Sequence, residues 1–152
     1  MSQLSIYEFA DKLNEVMPVL MREFVRRQVN ELYKGKITLP QFLILDFLHH
    51  QGESRMTDLA SFMHVTTAAM TGIGERLVKG GYAVRTYEPQ DRRIIKVGLT
   101  IKGNELVKKV NHQRREMVLK IFGKISESDR QDYLRILMQI KDILIQGNGK
   151  LG

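Results

Sequence analysis

From Met56 to Thr100 the chain spells two short helices, a double glycine and a hairpin, in that order. Leu59, Ala60, Phe62 and Met63 space a helix from about Met56 to His64. Met70, Ile73 and Leu77 space a second from a Thr66 or Thr67 cap to Lys79, where Gly80-Gly81 stops it. Beyond it, Tyr82 to Tyr87 and Ile94 to Leu99 read as two strands around EPQDRR, a six-residue polar turn containing Pro89. A bracing helix, a tight turn at His64-Val65, a second helix and a hairpin with Arg92 and Arg93 at its tip make a winged helix-turn-helix. That arrangement lays one helix and one hairpin against a DNA duplex.

The flanking segments are helical. Ile6, Phe9, Leu13, Val16, Met17, Leu20 and Phe24 recur at three- and four-residue steps, giving an amphipathic helix to about Glu31. Pro18 falls inside it, where the helix either kinks or restarts. Lys34-Gly35-Lys36 breaks the pattern. A further helix opens at Leu39-Pro40, buries Phe42, Leu45, Phe47 and Leu48, and ends at Gln51-Gly52. Thr100 caps a long helix through about Phe122, and Ser126-Glu127-Ser128-Asp129 resembles a capping box opening a last helix to about Gln146. The tail 147–152 is expected to fray. In that last helix Leu134, Ile136, Leu137, Met138, Ile140, Ile143, Leu144 and Ile145 are apolar nearly all round, so two packing partners are expected. One is the protomer's own core and the other a second subunit. The alternative is an intramolecular bundle with the first and fifth helices.

The 152 residues suit one domain, mainly α with a small β-hairpin wing: a winged helix-turn-helix region at about 37–103 and a helical dimerisation stem at about 5–31 and 104–146. With 24 Lys+Arg against 17 Asp+Glu, the formal charge of +7 favours a polyanionic partner. Eight cations and four anions fall between Arg55 and Lys102, so the excess gathers where the DNA-facing elements would be. The absence of cysteine excludes thiol redox sensing, disulfides and cysteinate metal sites. No apolar run approaches the ~18 residues that span a bilayer. The N-terminus lacks the basic flank and apolar core of a signal peptide, so a soluble cytoplasmic protein is expected, with no membrane partner.

Thr66, Thr67, Ala68, Thr71 and Gly72 face outward near the start of the inserted helix. Hydroxyls there can bond phosphates or base edges, and small residues let the helix backbone approach closely. At the wing, an arginine can enter a narrow minor groove, where the negative potential is strongest, while Asp91 can hold a neighbouring guanidinium in a fixed pose. The competing reading is a solvated turn whose charges keep an exposed hairpin from aggregating.

Across nearly its whole length, and most closely from Leu39 to Gly103, the chain resembles the multiple antibiotic resistance regulators, or MarR family. LPQFLILDFL, MTDLASFMHV, TTAAMTGIGERLVKGGYAVR and DRRIIKVGLTIKG carry the resemblance. It implies a homodimer of winged-helix protomers joined through first, fifth and sixth helices. It also implies binding to a palindromic operator on double-stranded DNA, as a repressor released by a small aromatic or phenolic effector. On that resemblance Thr66, Thr67, Ala68 and Thr71 face the groove, Arg76 is the arginine before a buried leucine, and Asp91 and Arg93 form the wing pair, with Arg92 beside them. The chain departs from the family at Gly72, where many members carry a long basic or polar side chain, and at Ala68, where many carry a hydroxyl. Base readout by the helix is therefore expected to be thin, leaving more to the wing.

Tyr7, Met17, Phe24, Tyr33, Phe42 and Phe47 are candidates for an effector cleft, although aromatic and methionine residues at these spacings also read as plain core. His49-His50 are adjacent and diverge on a helix, His112 stands alone and His64 fills the turn, so no metal or other cofactor is expected. A cysteine nucleophile, a Gly-rich phosphate loop, a metal pair at i and i+4 and a Ser-His-Asp set are all missing, so an enzyme is not expected. The remaining rival is a winged helix used as a protein-interaction module, its basic wing docking an acidic partner.

Overall fold

The computed structural model describes residues 4–27 and 34–147. It divides into two compact units, 1–114 and 115–152. The elements are α1 (Ile6–Arg27), α2 (Leu39–Gln51), β1 (Ser54–Arg55), α3 (Met56–Met63), α4 (Thr67–Lys79), β2 (Ala83–Glu88), β3 (Asp91–Leu99), α5 (Ile101–Phe122) and α6 (Glu127–Gly147). The continuation of α1 towards Glu31, Tyr33 and the tail 148–152 lie outside the described residues.

The helices start where side chains satisfy the first free N–H groups. Ser5 and Glu8 form a reciprocal capping box at α1, the Glu8 carboxylate accepting from the Ser5 N–H at 2.8 Å. That backbone hydrogen bond holds the Glu8 carboxyl below its ordinary range. Thr38 and Gln41 form a second box at α2. Pro18 sits within α1, which continues through it as one helix, so there is no restart.

The core of the first unit gathers on α2. Phe42, Ile44, Leu45 and Leu48 bury against Leu59 of α3, Met70 and Leu77 of α4, Val97 of β3, and Val107 and Val110 of α5. One expectation fails here: Phe62 is 43% exposed, while Phe47 is partly buried and packs against the core; their rings meet with centroids 4.4 Å apart. On α2 the expected Phe42, Leu45 and Leu48 are buried, and Ile44 joins them in the core.

The turn between α3 and α4 places His64 in the left-handed region, at φ 52° and ψ 42°. Val65 N–H bonds Ala60 O at 3.1 Å and His64 N–H bonds Ser61 O at 3.2 Å, the double closure of a Schellman cap. A non-glycine residue there costs roughly 1–2 kcal/mol. Burial of Leu59 and Ala60 on one side and Met70 on the other holds it in place. Thr66 is the N-cap of α4, its hydroxyl oxygen accepting from Ala69 N–H at 3.2 Å.

The sheet differs from the expected hairpin in three ways. It has three antiparallel strands in the order β1-β3-β2, because Ser54 and Arg55 pair with Val97 and Lys96. The first long strand begins at Ala83, and the turn is only Pro89-Gln90. β3 starts at Asp91, so Arg92 and Arg93 are the opening residues of a strand and not the tip of a six-residue loop. Tyr87 pairs with Ile95 while Glu88 pairs with Asp91, which leaves Arg92, Arg93 and Ile94 unopposed in an irregular, bulged stretch. Pairing a few more residues keeps backbone groups bonded, and a bulge re-aims the side chains it carries.

In the second unit α6 opens at Ser126, whose hydroxyl accepts from Asp129 N–H at 3.1 Å. Arg130 closes the preceding turn by donating to Phe122 O at 3.1 Å. Leu134, Ile136, Leu137, Met138, Ile140, Ile143, Leu144 and Ile145 are all exposed, and α6 has no buried residue. α1 has none either: Phe9, Leu13, Val16, Met17 and Leu20 are exposed.

Candidate nucleic-acid interface

Three parts of the winged unit make up the candidate surface: the N-terminal half of α4, its basic C-terminal end, and the β2–β3 wing. Thr66, Thr67 and Ala68 are exposed, while Thr71 and Gly72 are half-buried. The Thr71 hydroxyl donates to Thr67 O at 2.9 Å, so its proton is committed within the helix. Along α4, Ala68, Gly72 and Arg76 follow one another at four-residue steps and share a stripe. Arg76 is exposed and Leu77 beside it is fully buried, as the residue order requires.

Gly72, Gly74 and Gly103 have different reasons to be glycine. At Gly74 an added Cβ would meet Met56 Cε at 3.2 Å, and at Gly103 it would meet Tyr82 O at 2.0 Å. At Gly72 it would meet nothing within 4 Å. Nothing inside the protein asks for glycine there, and an interior helical glycine costs about 1 kcal/mol relative to alanine. Gly72→Ala should therefore raise the melting temperature by about 2–4 °C, read by circular dichroism. A lower melting temperature would mean that a neighbour does fill that space.

The wing carries a formed pair. Asp91 Oδ1 accepts from Arg93 N–H at 3.0 Å and from Arg93 Nε at 3.2 Å, while the Arg93 side chain is 93% exposed. The aspartate thus anchors the root of an arginine whose far end is in solvent. Lys96 pairs with Glu88, and Lys102 donates to Gly80 O at 2.7 Å with its ammonium 4.4 Å from the Tyr82 ring centre. Arg85 stands 3.8 Å from Glu75. Among the described residues no ion pair engages Arg55, Arg76, Lys79 or Arg92, all exposed. Exposed, unpaired cations retain their full charge for a polyanion.

Arg55 and Arg85 escaped the sequence reading as site residues. Arg55 belongs to a two-residue strand too short to show alternation; Arg85 is a charged residue opposite buried Val97, a position only the register reveals. The histidines are apart in role: His49 Nδ1 lies 2.8 Å from Asn104 Oδ1, and His50 Nδ1 lies 2.8 Å from Asp46 O. Among the described residues no three His, Asp or Glu side chains group to hold a metal ion.

A sequence profile described as the MarR family matches residues 37–95, the stretch from the start of α2 into β3. A solved MepR-like protein complexed with pseudoligands is 30% identical, covering 88% of this chain and 94% of that one, with a TM-score of 0.59. The chain belongs to the MarR family. Among its relatives is the uncharacterised HTH-type transcriptional regulator YpoP of Bacillus subtilis, 24% identical over 82% of this chain and 90% of that protein. Streptococcus pneumoniae FabT, solved in complex with DNA, superposes with a TM-score of 0.80 at 21% identity, covering 90% of this chain and 98% of that one. The MarR fold is therefore shared along nearly the full length, and the relatives are transcriptional regulators and not enzymes.

Proposed function

We propose that the protein is a homodimeric, sequence-specific DNA-binding transcriptional regulator, acting as a repressor of the MarR type. α4 enters the major groove, with Thr66, Thr67, Ala68 and Thr71 at the bases or adjacent phosphates and Arg76 at the backbone. The wing enters the neighbouring minor groove through Arg93, held by Asp91, and through Arg92. The observation that carries this reading is the Asp91–Arg93 pair, which presents a solvent-directed guanidinium on a bulged strand in the same winged-helix unit as α4. Fixing the root of a long side chain lowers the entropy lost when its end is bound. FabT, whose fold this chain shares, was solved in complex with DNA, which supports a DNA partner for this fold.

Dimerisation rests on the exposed apolar faces of α1 and α6. Contiguous apolar surface on two long helices is unfavourable in water, and covering it with a second copy removes that cost. The winged helix-turn-helix region is then about 37–103, with the stem from about 5–31 and 104–146. In a dimer the two α4 helices meet successive major grooves about 34 Å apart, which demands a palindromic site.

For the effector, a cleft of about 330 Å³ lies between α1 and α2, with Met21, Phe24, Val25, Phe42 and Leu43 on its walls. Arg114 lines it too, its guanidinium 5.8 Å from the centre of the Phe42 ring. Apolar walls with one cation suit a small aromatic or phenolic compound bearing an acidic oxygen. Phe24 and Phe42, expected there from the sequence, do line it; Tyr7, Met17 and Phe47 do not, and Phe47 is held against Phe62. No described helix is long and apolar enough to cross a membrane, and a cytoplasmic setting fits a DNA reader.

Selection from randomised duplex DNA, repeated with a panel of phenolic ligands, tests the reading. The expected result is an imperfect palindrome bound by a dimer, released by a ligand, with log affinity falling against log salt by roughly 0.9 per phosphate contacted. A 17.6 kDa monomer by light scattering at micromolar concentration would refute the dimer. Absence of any enriched site, with an acidic protein partner bound instead, would favour the protein-interaction module.

A further inference from the structure

Arg85 of β2 has an unusual environment. Its Nε and Nη2 are shut off from solvent and have no hydrogen-bond partner among the described residues. Those two nitrogens form the side-on edge that binds a carboxylate through two parallel hydrogen bonds. A buried guanidinium edge without a hydrogen-bond acceptor is costly, because an ion pair at longer range only partly replaces the water it has given up. The carboxylate that faces it belongs to Glu75 of α4, with Oε1 at 3.8 Å from Nη2, just beyond hydrogen-bonding distance. Glu75 is 63% exposed, so its carboxylate is open to solvent on its other side.

Glu75 also sits one residue before Arg76, on the helix assigned above to the major groove. A free carboxylate beside phosphates is repelled by them, and the repulsion is relieved when its charge is taken up by a cation. Both the orphaned arginine edge and the approaching polyanion therefore push Glu75 in the same direction.

We propose that Glu75 and Arg85 form a latch between α4 and β2 that closes when DNA binds. They act as positioning residues: the closed pair fixes the angle between the reading helix and the wing, so that α4 and Arg93 reach their grooves together. The inference rests on the DNA-binding reading above. It adds a pair on which that reading does not depend, and it makes a prediction opposite in sign to simple electrostatics. Removing a carboxylate from a DNA-facing helix should by itself raise affinity. If the latch operates, removing it lowers affinity.

The test uses the full-length protein and the duplex recovered by selection, titrated by fluorescence anisotropy. Glu75→Gln is expected to bind about 5- to 10-fold more weakly than the parent, and Arg85→Lys, which keeps the charge but loses the side-on edge, about 10-fold more weakly. The double variant should be no weaker than Arg85→Lys alone. Because the pair makes no hydrogen bond in this structure and Glu75 is mostly exposed, Glu75→Gln should melt within about 1 °C of the parent, whereas a purely structural role would shift melting and leave the affinities additive. Glu75→Asp, too short to span the gap, serves as the second variant and should also weaken binding. Parent-like or tighter binding by Glu75→Gln and Glu75→Asp, or additive losses in the double variant, overturns the latch while the DNA reading stands. A parent protein that binds no duplex overturns both.

Discussion

Arg93→Ala should weaken binding to the operator by about 10- to 100-fold, equivalent to about 1.4–2.7 kcal/mol, while the dimer and its melting are unchanged. The side chain is almost wholly in solvent, and among the described residues its hydrogen bond and ion pair are with Asp91, so its removal takes nothing from the core. What is lost is a guanidinium that the aspartate has already oriented, and in a narrow minor groove that group faces the strongest negative potential of the duplex. Arg92→Ala should show a smaller loss, because Arg92 has no comparable anchor among the described residues. A fluorescence-anisotropy titration at fixed salt measures both. Affinity equal to the parent for Arg93→Ala would remove the wing from the interface.

Gly103→Ala should destabilise the protein by about 3 kcal/mol or more and lower the melting temperature by roughly 10 °C, at the upper end of overpacking effects. The added methyl would stand 2.0 Å from Tyr82 O and 3.2 Å from Leu99 Cδ2. The carbonyl cannot easily yield. Tyr82 O accepts from Thr100 N–H at 3.2 Å, Gly81 O accepts from the Thr100 hydroxyl at 2.6 Å, and Gly80 O accepts from Lys102 at 2.7 Å. These bonds stitch the start of the wing to the first turn of α5, and the methyl would act as a wedge between them. Calorimetry decides it: a loss under about 1 kcal/mol would mean that α5 slides aside at little cost. The same chemical change at Gly72 should have the opposite sign, since only helix propensity is at stake there.

Much of this was legible in the residue order. The helix starts follow from local chemistry at Leu39-Pro40, Thr66 and Ser126, and the hairpin from a change of spacing after Gly80-Gly81, whereas the Thr38–Gln41 box went unread. The approximate positions of Arg76, Asp91, Arg92 and Arg93 came with them. Most of the inner face of α2 was legible too, Phe42, Leu45 and Leu48 being buried as expected, but the burial of Ile44 beside them was not. Nor was β1, because two residues cannot show alternation and their pairing is decided by Val97 and Lys96, some forty residues on.

The sequence by itself determined the helices, the two long strands and their order, and carried the family resemblance, since caps, glycines and hydrophobic spacing act within a few residues of one another. Only the tertiary structure decided how the wing is built. Strand pairing extended β3 back to Asp91 and left Arg92, Arg93 and Ile94 unopposed, which turned two supposed loop arginines into the opening of a bulged strand. It also brought Arg85 to Glu75 and Gly103 to Tyr82. Those contacts join residues far apart in the chain, and their geometry depends on a register and a close approach that no local pattern encodes.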